Sequence, residues 1–173
     1  MTGQTAKKQL ALVDNEQNLK DMMDRANLLV KSGLLPKAIN TPEKALAVMM
    51  MGAEYGIPPM KAFQSIHIIE GRPSLSSQLM LALCERTGEL EQAKIEPYDT
   101  YCRVTLKRKG REAHSVTFGD TDAQTMKTKA YDASGTARVI PLIEKYNYKT
   151  MKKDMYVARA VSRACRWVFP DAV

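Results

Sequence analysis

The sequence predicts an α+β fold: a small antiparallel sheet with β-hairpins packed against several helices, closed by a long C-terminal basic helix. Three observations carry that expectation. Residues 101–118, YCRVTLKRKGREAHSVTF, alternate apolar and polar side chains on both sides of Lys109-Gly110, the period of a half-buried hairpin. Earlier stretches repeat apolar residues at helical spacing and carry helix start and stop signals. The last stretch, YVARAVSRACRWVFP, spaces arginines four and then three apart, opposite a row of Val and Ala.

Taken in order, residues 1–14 read as a disordered arm and residues 15–173 as a single core. From about Asn15 to Val30, Leu19, Met22, Met23, Ala26 and Leu29 recur at helical spacing, and Gly33 stops that helix. Thr41-Pro42-Glu43 opens the next helix, with Thr as N-cap, Pro in the first turn and an acid at the positive dipole end. Its methionines, Met49 to Met51, read as core filler, and it ends near Gly56. After Pro58-Pro59 comes a short helical turn around Met60–Gln64. IHIIEGRPSL then reads as two extended runs about a Glu70-Gly71 turn, with Pro73 confining the second to an edge. QLMLALCERTG is apolar nearly all round, so it should be buried, with Gly88 as its C-terminal stop.

In the hairpin, Cys102, Val104 and Leu106 share one face, as do His114, Val116 and Phe118, and AKIEPY supplies a third strand. A helix capped by Asp120 or Asp122 is expected to run to about Lys129. Residues 130–148 carry mixed signals and read as a connector, and the final helix starts near Lys149.

Composition limits what the chain can do. A hydrophobic content of 45% favours a packed core over global disorder. No apolar run reaches about 18 residues, so a transmembrane helix is not expected. The N-terminus lacks a secretory h-region. Three cysteines, Cys84, Cys102 and Cys165, form no disulfide framework and suit a reducing, cytoplasmic setting. The net charge of +7 is one-sided: residues 1–93 balance, whereas residues 94–173 hold sixteen Lys/Arg against nine Asp/Glu. Such asymmetry favours a polyanionic partner.

Two constellations follow from that charge. At about 100° per residue, Lys152, Arg159, Arg163 and Arg166 fall within a stripe about 60° wide, with Val157, Val161, Ala164 and Val168 opposite. Such a row of cations, about 20 Å long, can track a nucleic-acid backbone. Tyr156 and Trp167 flank the stripe and could stack on bases. Only Asp154 offers a local acidic partner. The second constellation is the hairpin tip, where Lys107, Arg108, Lys109 and Arg111 surround Gly110, with Arg103 on the polar face; such a finger can clasp phosphates. Arg72, a lone arginine at a turn, is a further candidate nucleic-acid contact, the alternative being a local salt bridge with Glu70 or another acid.

Catalytic chemistry is not expected. No phosphate-cradling glycine motif is present, and Cys84, Cys102, Cys165, His67 and His114 lack zinc-ligand spacing. Cys165 reads as a small buried hydrophobe and His114 as a core or boundary residue. Asp120 and Asp122 read as caps rather than metal ligands, so neither metal nor cofactor is anticipated.

With these residues in view, GIPPMKAFQSIHIIEGRPSLSSQLMLAL, VTLKRKG and YVARAVSRACRWVFPDAV resemble, in order, the motifs of RecT-family phage recombinases. The resemblance runs from about Gly33 to the last residue, and phage lambda's Bet protein is a more distant relative of that family. It implies an α+β protein that binds single-stranded DNA and anneals complementary strands without ATP, in homologous recombination and repair. It further implies a homo-oligomer, ring or helical filament, holding an annealed duplex intermediate in a basic groove. The implied partners are a 5′→3′ exonuclease and the host single-strand-binding protein, with no membrane. On that pattern the hairpin at 66–75 and the finger at 103–111 would shape the groove. Arg159, Arg163 and Arg166, with Lys152 and Lys153, would hold phosphates. Family members usually continue past FPDAV into a partner-docking region, which is expected to be missing here. The alternative is a general nucleic-acid-binding or chaperone module without annealing activity. A repressor is disfavoured, because no short turn joins two helices as a major-groove reader requires.

Overall fold

The computed structural model describes residues 16–69, 71–131 and 134–173. The expected N-terminal arm and Glu70 of the expected Glu70-Gly71 turn lie outside the described residues. The fold is α+β, with small antiparallel sheets and a long C-terminal helix. Its contacts divide the chain into two units, residues up to 76 and residues 77–173.

The first unit contains α1 (Glu16–Lys31), α2 (Pro42–Glu54), α3 (Pro59–Ser65), β1 (Ile66–Ile69) and β2 (Arg72–Leu75). Thr41 caps α2 as expected, its hydroxyl accepting from the Lys44 amide at 3.4 Å. Ala45, Val48 and Met49 of α2 are buried, so Met49 is core filler. The packing of α1 is looser than its period suggested: of the periodic set Ala26 is buried, Met22, Met23 and Leu29 are half-buried and Leu19 is exposed. Gly52 lets α2 approach α3 closely, since a Cβ there would lie 2.6 Å from the Ala62 Cβ. β1 and β2 pair antiparallel, with Ile68 opposite Pro73. In a two-stranded ribbon both strands are edges, which suits a proline.

The second unit contains α4 (Ser77–Arg86), β3 (Leu90–Pro97), β4 (Tyr101–Arg108), β5 (His114–Gly119), α5 (Asp120–Thr125), β6 (Lys127–Tyr131) and β7 (Ala137–Pro141). A 3-10 turn (Leu142–Glu144), α6 (Tyr146–Thr150) and α7 (Lys152–Val168) follow. β3, β4 and β5 form one antiparallel sheet in that order, with Cys102 opposite Phe118 and Val104 opposite Val116. Cys102, Val104, Leu106 and Phe118 are fully buried, and α7 packs on β4 and β5. The period-two reading of this hairpin therefore holds in its alternation, although His114 and Val116 on the expected core face are only half-buried. α4 packs against α7 through one face, burying Leu79, Met80, Leu83 and Cys84. Ala82 is exposed, so α4 is not buried all round.

Three expectations need correction. The helix opened at Asp120 ends at Thr125 rather than Lys129, because the chain turns into β6 at Lys127. The connector expected at 130–148 holds the end of β6, then β7, the 3-10 turn and α6. α7 begins at Lys152, and Lys149 belongs to α6. All three free cysteines are buried. The Cys165 thiol is held far above its ordinary range by its hydrogen bond with Cys84 and by burial, which keeps it unreactive. Among the described residues no helix is long and apolar enough to cross a membrane.

Candidate nucleic-acid interface

α7 is anchored by Tyr156, Ala160, Val161, Ala164, Cys165 and Val168, all buried. Tyr156 is the largest of these and sits at 0% exposure. Its ring meets Phe118 edge-on at 5.7 Å and Tyr148 at 6.2 Å. Its hydroxyl donates to Asp120 Oδ1. Burial and the adjacent Asp120 carboxylate push the hydroxyl pKa up, so it remains a donor. Tyr156 therefore belongs to the core and cannot stack on a base, contrary to its place beside the arginines on a helical wheel.

The outward face of α7 keeps the arginines. Arg159 is exposed and donates from Nε to the Tyr148 hydroxyl at 3.1 Å, a neutral partner, and makes no ion pair with a described residue. Arg163 pairs with Asp122 at 2.9 Å and lies 4.7 Å above the Phe118 ring. Arg166 is exposed and makes no ion pair with a described residue. Trp167 is 70% exposed, with its ring nearly parallel to His114, 20° between planes and 5.5 Å between centroids.

Lys152 pairs with Asp120 at 2.7 Å and Lys153 with Asp99 at 2.6 Å. The acids that hold these cations are distant in sequence and reach α7 only through the fold. Such half-exposed pairs contribute about 0–1 kcal/mol each, so a strand's phosphates can exchange for the carboxylates.

The hairpin tip divides by strand parity. Arg103, Thr105 and Lys107 alternate with the buried row and so face away from α7. Lys107 pairs with Glu91 at 2.8 Å, and the Arg103 guanidinium lies 5.9 Å from the Tyr101 ring. Arg108 is a clamp rather than a phosphate contact. Its side chain is 13% exposed, bonded to Glu89 at 2.5 Å and to both Asp171 oxygens at 2.6 and 2.9 Å, and it lies over Phe169 at 5.0 Å. This clamp ties the base of the tip to the chain just past α7. Lys109 and Arg111 are exposed at the tip. Arg111 is near enough to Asp171 to add to the lowering of that carboxyl, for which Arg108 is chiefly responsible. Arg72 is exposed at the start of β2, in the first unit.

One surface thus gathers Arg159, Arg163, Arg166 and Trp167, with the Lys109–Arg111 tip beside the end of the helix. Arg103 and Lys107 face elsewhere, while Tyr156 and Arg108 are withdrawn into packing. Sequence reasoning missed Tyr148, which steadies Arg159, and His114, which braces Trp167. It also missed Tyr98 and Tyr101, stacked at 4.6 Å across the β3–β4 turn. Two tyrosines flanking the short Asp99-Thr100 turn were a usable signal for that last pair.

Acid sensitivity follows from the same contacts. The hydrogen bond from Lys152, then that from Tyr156, holds the Asp120 carboxyl below the ordinary range. A depressed folded pKa contributes stability that is present above the unfolded value of about 3.9 and is lost as pH falls through the folded value. Melting temperature should therefore drop more steeply below about pH 4 in the wild type than in Asp120→Asn, which has already lost this contribution. Thermal melts across that range check it.

No protein-family model matches the chain, and no curated protein matches it.

Proposed function

We propose that this protein binds single-stranded DNA and anneals complementary strands without ATP, in phage-type homologous recombination in the cytoplasm. The observation that carries this reading is the outward row Arg159, Arg163 and Arg166 on a helix fixed to the sheet by Tyr156, Ala160 and Ala164. The one-sided charge of residues 94–173 supports it, as does the resemblance of the three motifs to the RecT family.

Annealing is slowed by repulsion between two polyanions and by strands coiling on themselves. A rigid row of guanidinium groups neutralises one strand and leaves its bases free to sample registers on a second. Base pairing supplies specificity; the protein supplies charge and geometry and makes or breaks no covalent bond. A homo-oligomer, ring or filament, would extend the row along the strand. An exonuclease that exposes 3′ tails and the host single-strand-binding protein are its proposed partners.

Affinity for unrelated single-stranded oligonucleotides should fall steeply between about 50 and 200 mM salt, with a slope of about −0.7 per phosphate neutralised. Fluorescence anisotropy of labelled strands measures this. A flat salt response, or strong preference for one sequence, would contradict the proposal. The cations already held by carboxylates favour a second reading, a general nucleic-acid-binding module without annealing activity. That reading shares the salt dependence but not the acceleration of strand pairing.

A further inference from the structure

We infer that Trp167, braced by His114, is a stacking site for one unpaired nucleobase and makes the interface selective for single strands over duplex. The inference rests on the proposed DNA-binding reading and adds to it a contact with a base rather than a phosphate. The imidazole lies offset against one side of the indole, with centroids 5.5 Å apart and planes 20° apart, while the residue remains 70% exposed. The ring therefore offers most of its surface to solvent, with His114 on one side. His114 sits on the edge strand β5, paired with Leu106, so the brace comes from the sheet and not from the helix that carries Trp167.

The surroundings favour a base over an apolar protein surface. Within residues 152–173 Trp167 is the one exposed large hydrophobic residue, and Arg166 precedes it. A single exposed aromatic on the outward face of α7, next to Arg166 in the chain, is less than the contiguous apolar patch of a protein interface. A flat ring beside a guanidinium that can hold the adjoining phosphate matches how single strands are bound. Bases inside a duplex are covered on both faces by their neighbours, so this ring reaches only unpaired ones. Pairing withdraws the base, and the annealed product is then held by phosphate contacts alone.

Trp167 is the only tryptophan in the chain, so its fluorescence reports the site directly. The full chain is titrated at low salt with oligothymidylate, with an abasic deoxyribose-phosphate chain of the same length, and with a closed duplex lacking free ends. Anisotropy of a label on each probe records binding independently. Oligothymidylate should quench the tryptophan, whereas the abasic chain and the closed duplex bind without quenching. Trp167→Ala should weaken oligothymidylate about tenfold and leave the abasic chain unchanged. His114→Ala should weaken oligothymidylate selectively, with recovery in His114→Phe, which restores a flat brace.

Bound oligothymidylate without quenching, or equal losses for both single-stranded probes in Trp167→Ala, would overturn the site. So would quenching by the closed duplex equal to that by oligothymidylate. A fluorescence change that grows with protein concentration alone, alongside self-association, would reassign Trp167 to an interface between copies. If no probe changes in anisotropy, the DNA-binding reading itself fails and takes this site with it.

Discussion

Replacing Arg159, Arg163 and Arg166 together by alanine is expected to lower affinity for single-stranded DNA by about a hundredfold or more at low salt. The estimate takes about 1 kcal/mol per lost contact, with about 1.4 kcal/mol per tenfold in the binding constant. The salt dependence should weaken as well, its slope falling in magnitude by about 2 when three phosphate contacts disappear. Salt-dependent anisotropy provides both numbers from one set of titrations.

The fold should survive the triple change, since Arg159 and Arg166 are exposed. Arg163, whose side chain is 41% exposed, gives up one ion pair with Asp122 and its place over Phe118, a smaller loss than at the 13%-exposed Arg108. Arg108→Ala should behave in the opposite way. It releases Glu89 and Asp171 and uncovers Phe169, so stability falls while DNA affinity changes little. Equal effects of the two variants on binding would remove the distinction between contact and clamp.

Tyr156→Ala is expected to destabilise the second unit by about 3–5 kcal/mol, the range for deleting a buried aromatic ring. The ring fills the space between Phe118 and Tyr148, and its hydroxyl is satisfied by Asp120. Against a typical total of about 5–15 kcal/mol, that loss leaves much of the protein unfolded near physiological temperature. Trp167→Ala, at an exposed position on the same helix, should change stability by less than about 0.5 kcal/mol. Denaturant midpoints of the two variants give the comparison. Similar destabilisation by both would mean that Trp167 is also part of the core.

This contrast shows where the sequence stopped being informative. Tyr156 and Trp167 lie only about 20° apart on a helical wheel. The wheel holds no information on where the covering elements end: Phe118, Tyr148 and Asp120 enclose Tyr156, while Trp167 lies against His114 and stays 70% exposed. The β4–β5 hairpin was legible because Cys102, Val104, Leu106 and Phe118 alternate cleanly and one face is dry. The β6–β7 ribbon was not: Lys127, Lys129 and Tyr131 face water, and the inner positions are Thr128 and Ala130, too small and polar to mark a period. Caps were legible at Thr41, whose effect is local, and at Asp122, whose carboxylate accepts from the Gly119 amide. Ion pairs were not, because Asp99, Asp120 and Asp122 reach Lys153, Lys152 and Arg163 only through the tertiary fold.

The most direct measurement is the rate at which two complementary dye-labelled oligonucleotides pair, with and without the protein and in the absence of ATP. The expected result is acceleration by the wild type, lost in the folded Arg159→Ala/Arg163→Ala/Arg166→Ala variant and reduced as salt rises. Strand binding with no gain in pairing rate would contradict annealing and leave a passive nucleic-acid binder.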